Sequence, residues 1–261
     1  MSQVIAIINE KGGTGKSTTT TTLAYLIAKA NKKVLLIDFD GQGHSSLICG
    51  VNPKQVEMTI STLLNKVILD EPLPEPSEYI YKNKNGVDII PANSNLFVLE
   101  RNLCNVDFRE KKLLEVVEPL RAMYDYILID CMPQIGTPMI NVMMCSDSII
   151  IPTQAELLSA QGLTEVLKHY RVIQKNSNHK LKIEGILVTM DSPKTLLSAH
   201  VNSMLQNTFG EAIRIFTTRI PRSIKVAEAC LFQKTICEFM PHNPAAIAYE
   251  NFAKELMKDG I

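Results

Sequence analysis

Three kinds of side chain in this sequence are spaced as if to handle a polyphosphate: lysines in a glycine-rich run, hydroxyls just after it, and aspartates ending apolar runs. The run is Lys11-Gly12-Gly13-Thr14-Gly15-Lys16-Ser17-Thr18. Glycine lets backbone N–H groups approach an anion closely, lysine brings a cation to the terminal phosphates, and a hydroxyl can ligate Mg²⁺. Gly12, Gly13, Thr14, Gly15, Lys16, Ser17 and Thr18 are therefore expected to cradle the phosphates of a bound ligand, with Ser17 on Mg²⁺. The common pattern, G-x-x-x-x-G-K-[ST], needs a glycine where this chain has Glu10, and it carries a second lysine, Lys11, instead.

Transfer of a phosphoryl group to water requires neutralised charge, a held metal and an aligned water. Asp38 and Asp40, two residues apart on extended chain, point the same way. Asp130 ends the apolar run Tyr126-Ile127-Leu128-Ile129. Asp130 suits orientation of Mg²⁺ through its water shell, Asp38 suits support of the same shell, and Asp40, further out, suits positioning of the attacking water.

The elements that must hold these residues are legible as alternating strands and helices. Val4–Ile8, Val34–Ile37, Gly86–Ala92, Tyr126–Asp130, Ser148–Pro152, Ile183–Thr189 and Ile213–Phe216 read as strands. Helices are expected over Ser17–Ala30, Thr59–Ile68, Phe108–Met123, Ser159–Asn176, Leu196–Phe209 and Ala248–Met257, and a surface loop at Pro72-Leu73-Pro74-Glu75-Pro76. This alternation indicates an α/β fold, a doubly wound and mostly parallel sheet flanked by helices. A strand that ends in a glycine-rich turn and opens a helix is a P-loop.

With 261 residues and no Pro/Gly/Ser-rich linker, the chain is expected to form a single domain over residues 1–261. No apolar run reaches the roughly 18 residues a spanning helix needs, and the N-terminus runs straight into the first strand. A cytoplasmic protein is expected. Cys49, Cys104, Cys131, Cys145, Cys230 and Cys237 show no C-x-x-C spacing and read as reduced thiols. Lys and Arg number 27 against 27 Asp and Glu, so any nucleic-acid contact must come from a local patch.

The run K-G-G-x-G-K-[ST] resembles the deviant Walker A loop of the ParA/MinD family of dimerising ATPases. The resemblance extends along most of the chain. Asp38-Phe39-Asp40-Gly41-Gln42-Gly43 is similar to the family's D-x-D-P-Q-G, with Gly41 in place of proline and His44 in place of the usual asparagine. Ile129-Asp130-Cys131-Met132-Pro133 resembles I-D-C-P-P, Pro152-Thr153-Gln154 resembles P-x-Q, and Ile220 to Ala229 resembles I-P-R-N-V-R-L-x-E-A. The absence of an N-terminal helix-turn-helix extension brings it nearest the Soj-like members.

The resemblance implies a homodimer formed on ATP binding, in which Lys11 contacts nucleotide phosphate across the interface. It implies catalytic roles for Lys11, Lys16 and Asp40, nucleotide contacts from Pro221 and Arg222, and metal support from Ser17, Asp38 and Asp130. It further implies binding of double-stranded DNA without sequence preference, nucleoid association, and a ParB-like partner that stimulates hydrolysis. Lys194, Arg219, Arg222 and Lys225 are the expected DNA contacts. A second acid-free basic run extends from Lys168 to Lys182.

Two other outcomes share the loop. MinD-like relatives position themselves on membrane through a basic amphipathic C-terminal helix. Here Glu250, Glu255 and Asp259 balance Lys254 and Lys258, so a core-packed terminal helix and no membrane partner are expected. Biosynthetic enzymes of the dethiobiotin synthetase and cobyrinic acid amide synthase types use ATP on the same fold and do not need Lys11.

Overall fold

The apolar runs become the strands of one sheet. The computed structural model describes residues 2–103, 105–156, 159–192 and 195–258. In chain order the elements are β1 (Gln3–Ile7), α1 (Lys16–Lys29), β2 (Val34–Phe39), α2 (His44–Ile48), α3 (Ile60–Ile68), α4 (Pro76–Tyr79), β3 (Tyr81–Lys82) and β4 (Val87–Ile90). There follow α5 (Asn95–Leu103), α6 (Lys112–Val117), β5 (Tyr126–Cys131), α7 (Thr137–Cys145), β6 (Ser148–Gln154), α8 (Ser159–Asn176) and β7 (Lys182–Thr189). The chain closes with α9 (Leu196–Phe209), α10 (Ile224–Leu231), α11 (Ile236–Phe239) and α12 (Pro244–Lys258).

The sheet order is β3-β4-β2-β5-β1-β6-β7, and every pairing except β3 with β4 is parallel. Because successive side chains on a strand face opposite sides, Val4, Ala6 and Ile8 join one core layer while Ile5 joins the other. The first layer takes Leu35, Ile37, Ile127 and Ile129, and the second takes Leu36 and Leu128 with the buried side chains of α1 and α12. Burial on both faces explains why these strands read as continuous apolar runs.

Connections from neighbouring strands diverge at the centre of the sheet. β1 leaves through α1 toward β2 on one side, and β6 leaves through α8 toward β7 on the other. The crevice between such strands, at their C-terminal ends, is where open α/β sheets bind ligands. The loop from Asn9 to Gly15 stands there.

Two expected elements differ. The helix expected over Phe108–Met123 is α6 flanked by 3-10 turns at Arg109–Lys111 and Glu118–Ala122. Phe108 has a left-handed backbone (φ 52°), which stops the helix at its start. Pro119 lacks an N–H and its ring opposes the carbonyl four residues back, which stops it at its end. The strand expected at Ile213–Phe216 is reduced to an isolated bridge between Ile186 and Ile215. The next amides go elsewhere: the Glu255 carboxylate accepts from Thr217 N and Thr218 N, each at 2.9 Å, and so draws the chain off the edge of β7.

Glu255 lies on α12, so this carboxylate ties the terminal helix to the β7 edge; Arg214 Nη2 also donates to it, at 3.2 Å. Burial pushes its pKa up, but the bonds from Thr218 and Thr217 outweigh that and bring it from 4.5 down to about 2. A carboxyl depressed in the folded state stabilises above its ordinary pKa, and that stability fades as pH falls through the depressed value. Glu255→Gln is therefore expected to cost about 1 kcal/mol at neutral pH. Melting curves of both proteins should converge as pH falls below 4.5 toward 2; a gap that persisted unchanged would argue against the carboxylate.

The terminal helix packs in the core: Tyr249, Phe252 and Leu256 are buried, and Tyr249 Oη lies 3.1 Å from Thr19 Oγ1 on α1. Cys49, Cys131, Cys145 and Cys237 are buried free thiols and Cys230 is half-buried. Cys104 lies outside the described residues.

Candidate nucleotide site

The phosphate loop is pinned from two strands, β6 and β7. Asn9 Nδ2 donates to Pro152 O at 2.7 Å, while Asn9 Oδ1 accepts from Lys11 N at 3.0 Å. Gln154, at the end of β6, donates from Nε2 to Gly13 O at 2.7 Å. Thr189, at the end of β7, donates from Oγ1 to Thr14 O at 2.8 Å. Gly13 (φ 75°) and Gly15 (φ 86°) have left-handed backbones that other residues adopt only with strain. Gly15 caps α1, so the free N–H groups and positive dipole end of a 14-residue helix face the cleft.

Lys16 is buried, and its Nζ donates to Lys11 O at 2.9 Å, inside the turn. Burial lowers its pKa, and the negative charges of Asp130 and Asp40 act the other way. Lys11 points outward. Its Nζ pairs with Glu156 beyond β6, with both side chains substantially exposed, and it is absent from the wall of its own chain's cleft.

That cleft has a volume of about 560 Å³ and is lined by Gly12, Gly13, Gly15, Lys16, Ser17 and Thr18 on the loop side and by Asp40 and Gln42. Leu47, Pro133, Met190 and Ala227 supply apolar surface. A pocket of this size with a few converging polar groups suits a nucleotide-sized ligand.

Parallel register places Asp38 beside Asp130 on neighbouring strands. Both are fully buried, and burial raises both pKa values, with each carboxylate's neighbours adding repulsion. Their hydrogen bonds differ. Asp38 Oδ2 accepts from Ser46 N (2.8 Å) and Ser46 Oγ (2.7 Å), and its Oδ1 accepts from Asp40 N at 3.2 Å. It sits beneath the cleft and braces the β2 exit loop. Asp130 Oδ2 accepts from Ser45 Oγ at 2.7 Å, while its Oδ1 is buried with no hydrogen-bond partner. Ser17 lies close enough to lower the Asp130 pKa. An orphaned carboxylate oxygen beside a hydroxyl at the mouth of a phosphate loop fits the water shell of Mg²⁺.

Asp40 faces the cleft, nearly fully buried, and its Oδ1 accepts from Gln42 N at 3.0 Å. Pro221 lines an adjoining cleft of about 340 Å³ with Asp191, Thr217 and Arg219, and Arg222 N donates to Asp191 O at 3.1 Å. The expected nucleotide contacts Pro221 and Arg222 are thus beside the main cleft, not on its wall.

The expected DNA contacts are dispersed among internal pairs. Arg219 Nη1 is 3.8 Å from Asp191 Oδ2, and Lys225 Nζ donates to Glu228 Oε2 at 2.7 Å. Arg222 is exposed, and Lys194 lies outside the described residues. In the second run, Lys168 Nζ is 3.6 Å from Glu165 Oε2, an acid just outside the acid-free stretch.

Sequence reasoning did not single out Thr189, Ser45 or Ser46. A hydroxyl ending an apolar strand, or following an acidic strand end, is the only local signal for them.

The comparisons with known proteins agree with this geometry. The AAA domain family matches residues 2–183. The sporulation initiation inhibitor protein Soj of Bacillus subtilis is 34% identical over 262 residues, 100% of each chain. The chromosome partitioning protein ParA of Myxococcus xanthus is 33% identical, covering 98% of this chain and 88% of its own. Among solved structures, cobyrinic acid a,c-diamide synthase from Mycobacterium smegmatis with bound ADP and magnesium superposes with a TM-score of 0.84 at 27% identity, over 99% of this chain and 95% of its own. The chain belongs to the ParA/MinD type of AAA-domain P-loop NTPases.

Proposed function

We propose that the protein is a ParA/Soj-like partition ATPase, a single ATPase domain that hydrolyses ATP slowly and works as a switch. ATP drives a sandwich homodimer, the dimer binds double-stranded DNA without sequence preference, and a ParB-like partner stimulates hydrolysis to reset it. The observation that carries this reading is the divergence of the two loop lysines. Lys16 is turned into its own cleft, while Lys11 is turned out of it toward Glu156. An exposed pair of this kind contributes at most about 1 kcal/mol, so Lys11 can exchange Glu156 for a phosphate held by a second copy.

Within the site, the loop N–H groups and Lys16 bind and orient the phosphates. Ser17 and Asp130 would hold Mg²⁺, which when bound offsets phosphate charge as the leaving diphosphate departs. Asp40 orients the water. Asp38 holds the β2 exit loop through Ser46 and the Asp40 amide.

For the DNA contact, neutral overall charge favours a patch that becomes useful only when doubled by dimerisation. Duplex binding is expected to need ATP and to weaken as salt rises, because phosphate contacts release counterions. Changing Arg219, Arg222 and Lys225 to alanine should weaken binding on all sequences and flatten the salt dependence while leaving dimerisation intact. Light scattering and filter binding with ATP and with ADP test both steps. Wild-type affinity in the triple variant would move the contact to Lys194 or the Lys168–Lys182 run.

The likeness to a cobyrinic acid a,c-diamide synthase supports a second reading, ATP-dependent activation of a small carboxylate. Such an enzyme has no use for Lys11. A monomer with ATP whose turnover is indifferent to Lys11→Ala would favour it.

A further inference from the structure

We infer that Phe97 is a positioning residue for the Asp40 turn and that Gly41 is glycine to receive its ring. Asp40, Gly41 and Gln42 form a turn closed by the Gln42 N–H on Asp40 Oδ1 at 3.0 Å. Gly41 is its middle residue. A Cβ placed there would meet Cε2, Cζ and Cδ2 of Phe97 at 2.7, 2.8 and 2.9 Å. The backbone of Gly41 is outside the left-handed region, so what excludes a side chain is the ring and not the conformation.

The end of the turn is also confined. A Cβ at Gly43 would lie 2.7 Å from Pro53 Cγ and 3.2 Å from Ala92 O. Phe97 and Pro53 thus both abut the segment, and the ring stands against the Gly41 Cα, where it restricts movement of that peptide.

Phe97 is well placed to hold this position. It lies on α5, which is anchored by buried Leu96, Leu99 and Leu103. One turn further, Glu100 Oε1 accepts from Gln134 Nε2 at 2.6 Å, in the loop that follows β5 and Asp130. One helix thus touches the exit loops of both acidic strands, β2 through Phe97 and β5 through Glu100.

The catalytic consequence rests on the ATPase reading; the clamp itself does not. A misplacement of about 1 Å can cost about 10²-fold in rate, so Phe97→Ala is expected to lower kcat for Mg-ATP about tenfold or more, with ADP affinity retained. Hydrogen exchange of the Asp40–Gly43 segment, measured without nucleotide, should rise in Phe97→Ala while the core strands stay protected. Phe97→Leu, which keeps carbon near the turn, should fall between. Gly41→Ala displaces the ring and should resemble Phe97→Ala. In the double variant the new methyl fills part of the vacated space, so its loss should be smaller than the product of the single losses. Unchanged exchange at Asp40–Gly43 in Phe97→Ala, or losses that simply multiply, would overturn the clamp. Equal falls in ADP affinity and kcat would reduce Phe97 to a structural role. A wild-type protein without turnover would overturn the ATPase reading and with it the catalytic half of the inference, while the exchange result would still decide the clamp.

Discussion

Lys16→Ala should weaken nucleotide binding by roughly 30-fold or more, and Lys11→Ala should leave binding intact but prevent ATP-dependent dimerisation. Lys16 is buried at the mouth of α1, with the carboxylates of Asp130 and Asp40 close enough to act on its charge. Removing its ammonium takes a cation from the phosphates and leaves those carboxylates facing them unopposed. Truncating one member of a buried charge set costs about 2 to 5 kcal/mol, which is roughly 30-fold to several thousand-fold in affinity. Titration with a fluorescent ADP analogue measures it. Lys11 reaches none of its own cleft, so its loss should be seen only by light scattering in the presence of ATP. Retained nucleotide affinity in Lys16→Ala would mean that the loop amides alone suffice. An ATP-dependent dimer of Lys11→Ala would remove the cross-subunit role.

What the sequence made legible is what is local along the chain. The phosphate loop takes its strand, glycines, lysine and helix from one stretch of under 30 residues, and each signal agrees with the others. Asp38, Asp40 and Asp130 could be placed because an acid ending an apolar strand must emerge at one edge of the sheet. Partners brought together by folding were not legible. Nothing near Lys11 marks Glu156, 145 residues away, as its counter-ion. Nothing near Gly41 marks Phe97 as the occupant of its missing side chain. The same limit explains the strand expected at Ile213–Phe216: its β-branched residues are real, but the amides that would extend it are claimed by Glu255, some 40 residues on. The basic runs were visible as charge, and Glu228 and Glu165 lie only three residues from Lys225 and Lys168, whereas Asp191, which answers Arg219, became apparent only in three dimensions.

The departures at Gly41 and His44 bear on the second large effect, expected at Asp40. Asp40→Ala should bind ATP and accumulate as the dimer, with turnover lower by about 10²-fold or more, the range for loss of a group that orients or deprotonates a reacting water. The geometry gives Asp40 this part over the other two carboxylates. Asp38 has both oxygens engaged by Ser46 and the Asp40 amide, and Asp130 lies fully buried between Ser45 and the metal side of the loop. Asp40 alone of the three lines the cleft, with one oxygen fixed by Gln42 N–H. Its side chain can accept from a water without surrendering a bond that holds the fold. Single-turnover hydrolysis separates the chemical step from release, and light scattering under the same conditions follows the dimer. Asp40→Asn should keep the turn and much of the binding while losing the carboxylate's charge, so it should resemble Asp40→Ala in turnover if charge is what aligns the water. Wild-type turnover in both variants would transfer the role to Asp38 or Asp130, and loss of ATP binding along with turnover would make Asp40 a structural support of the cleft.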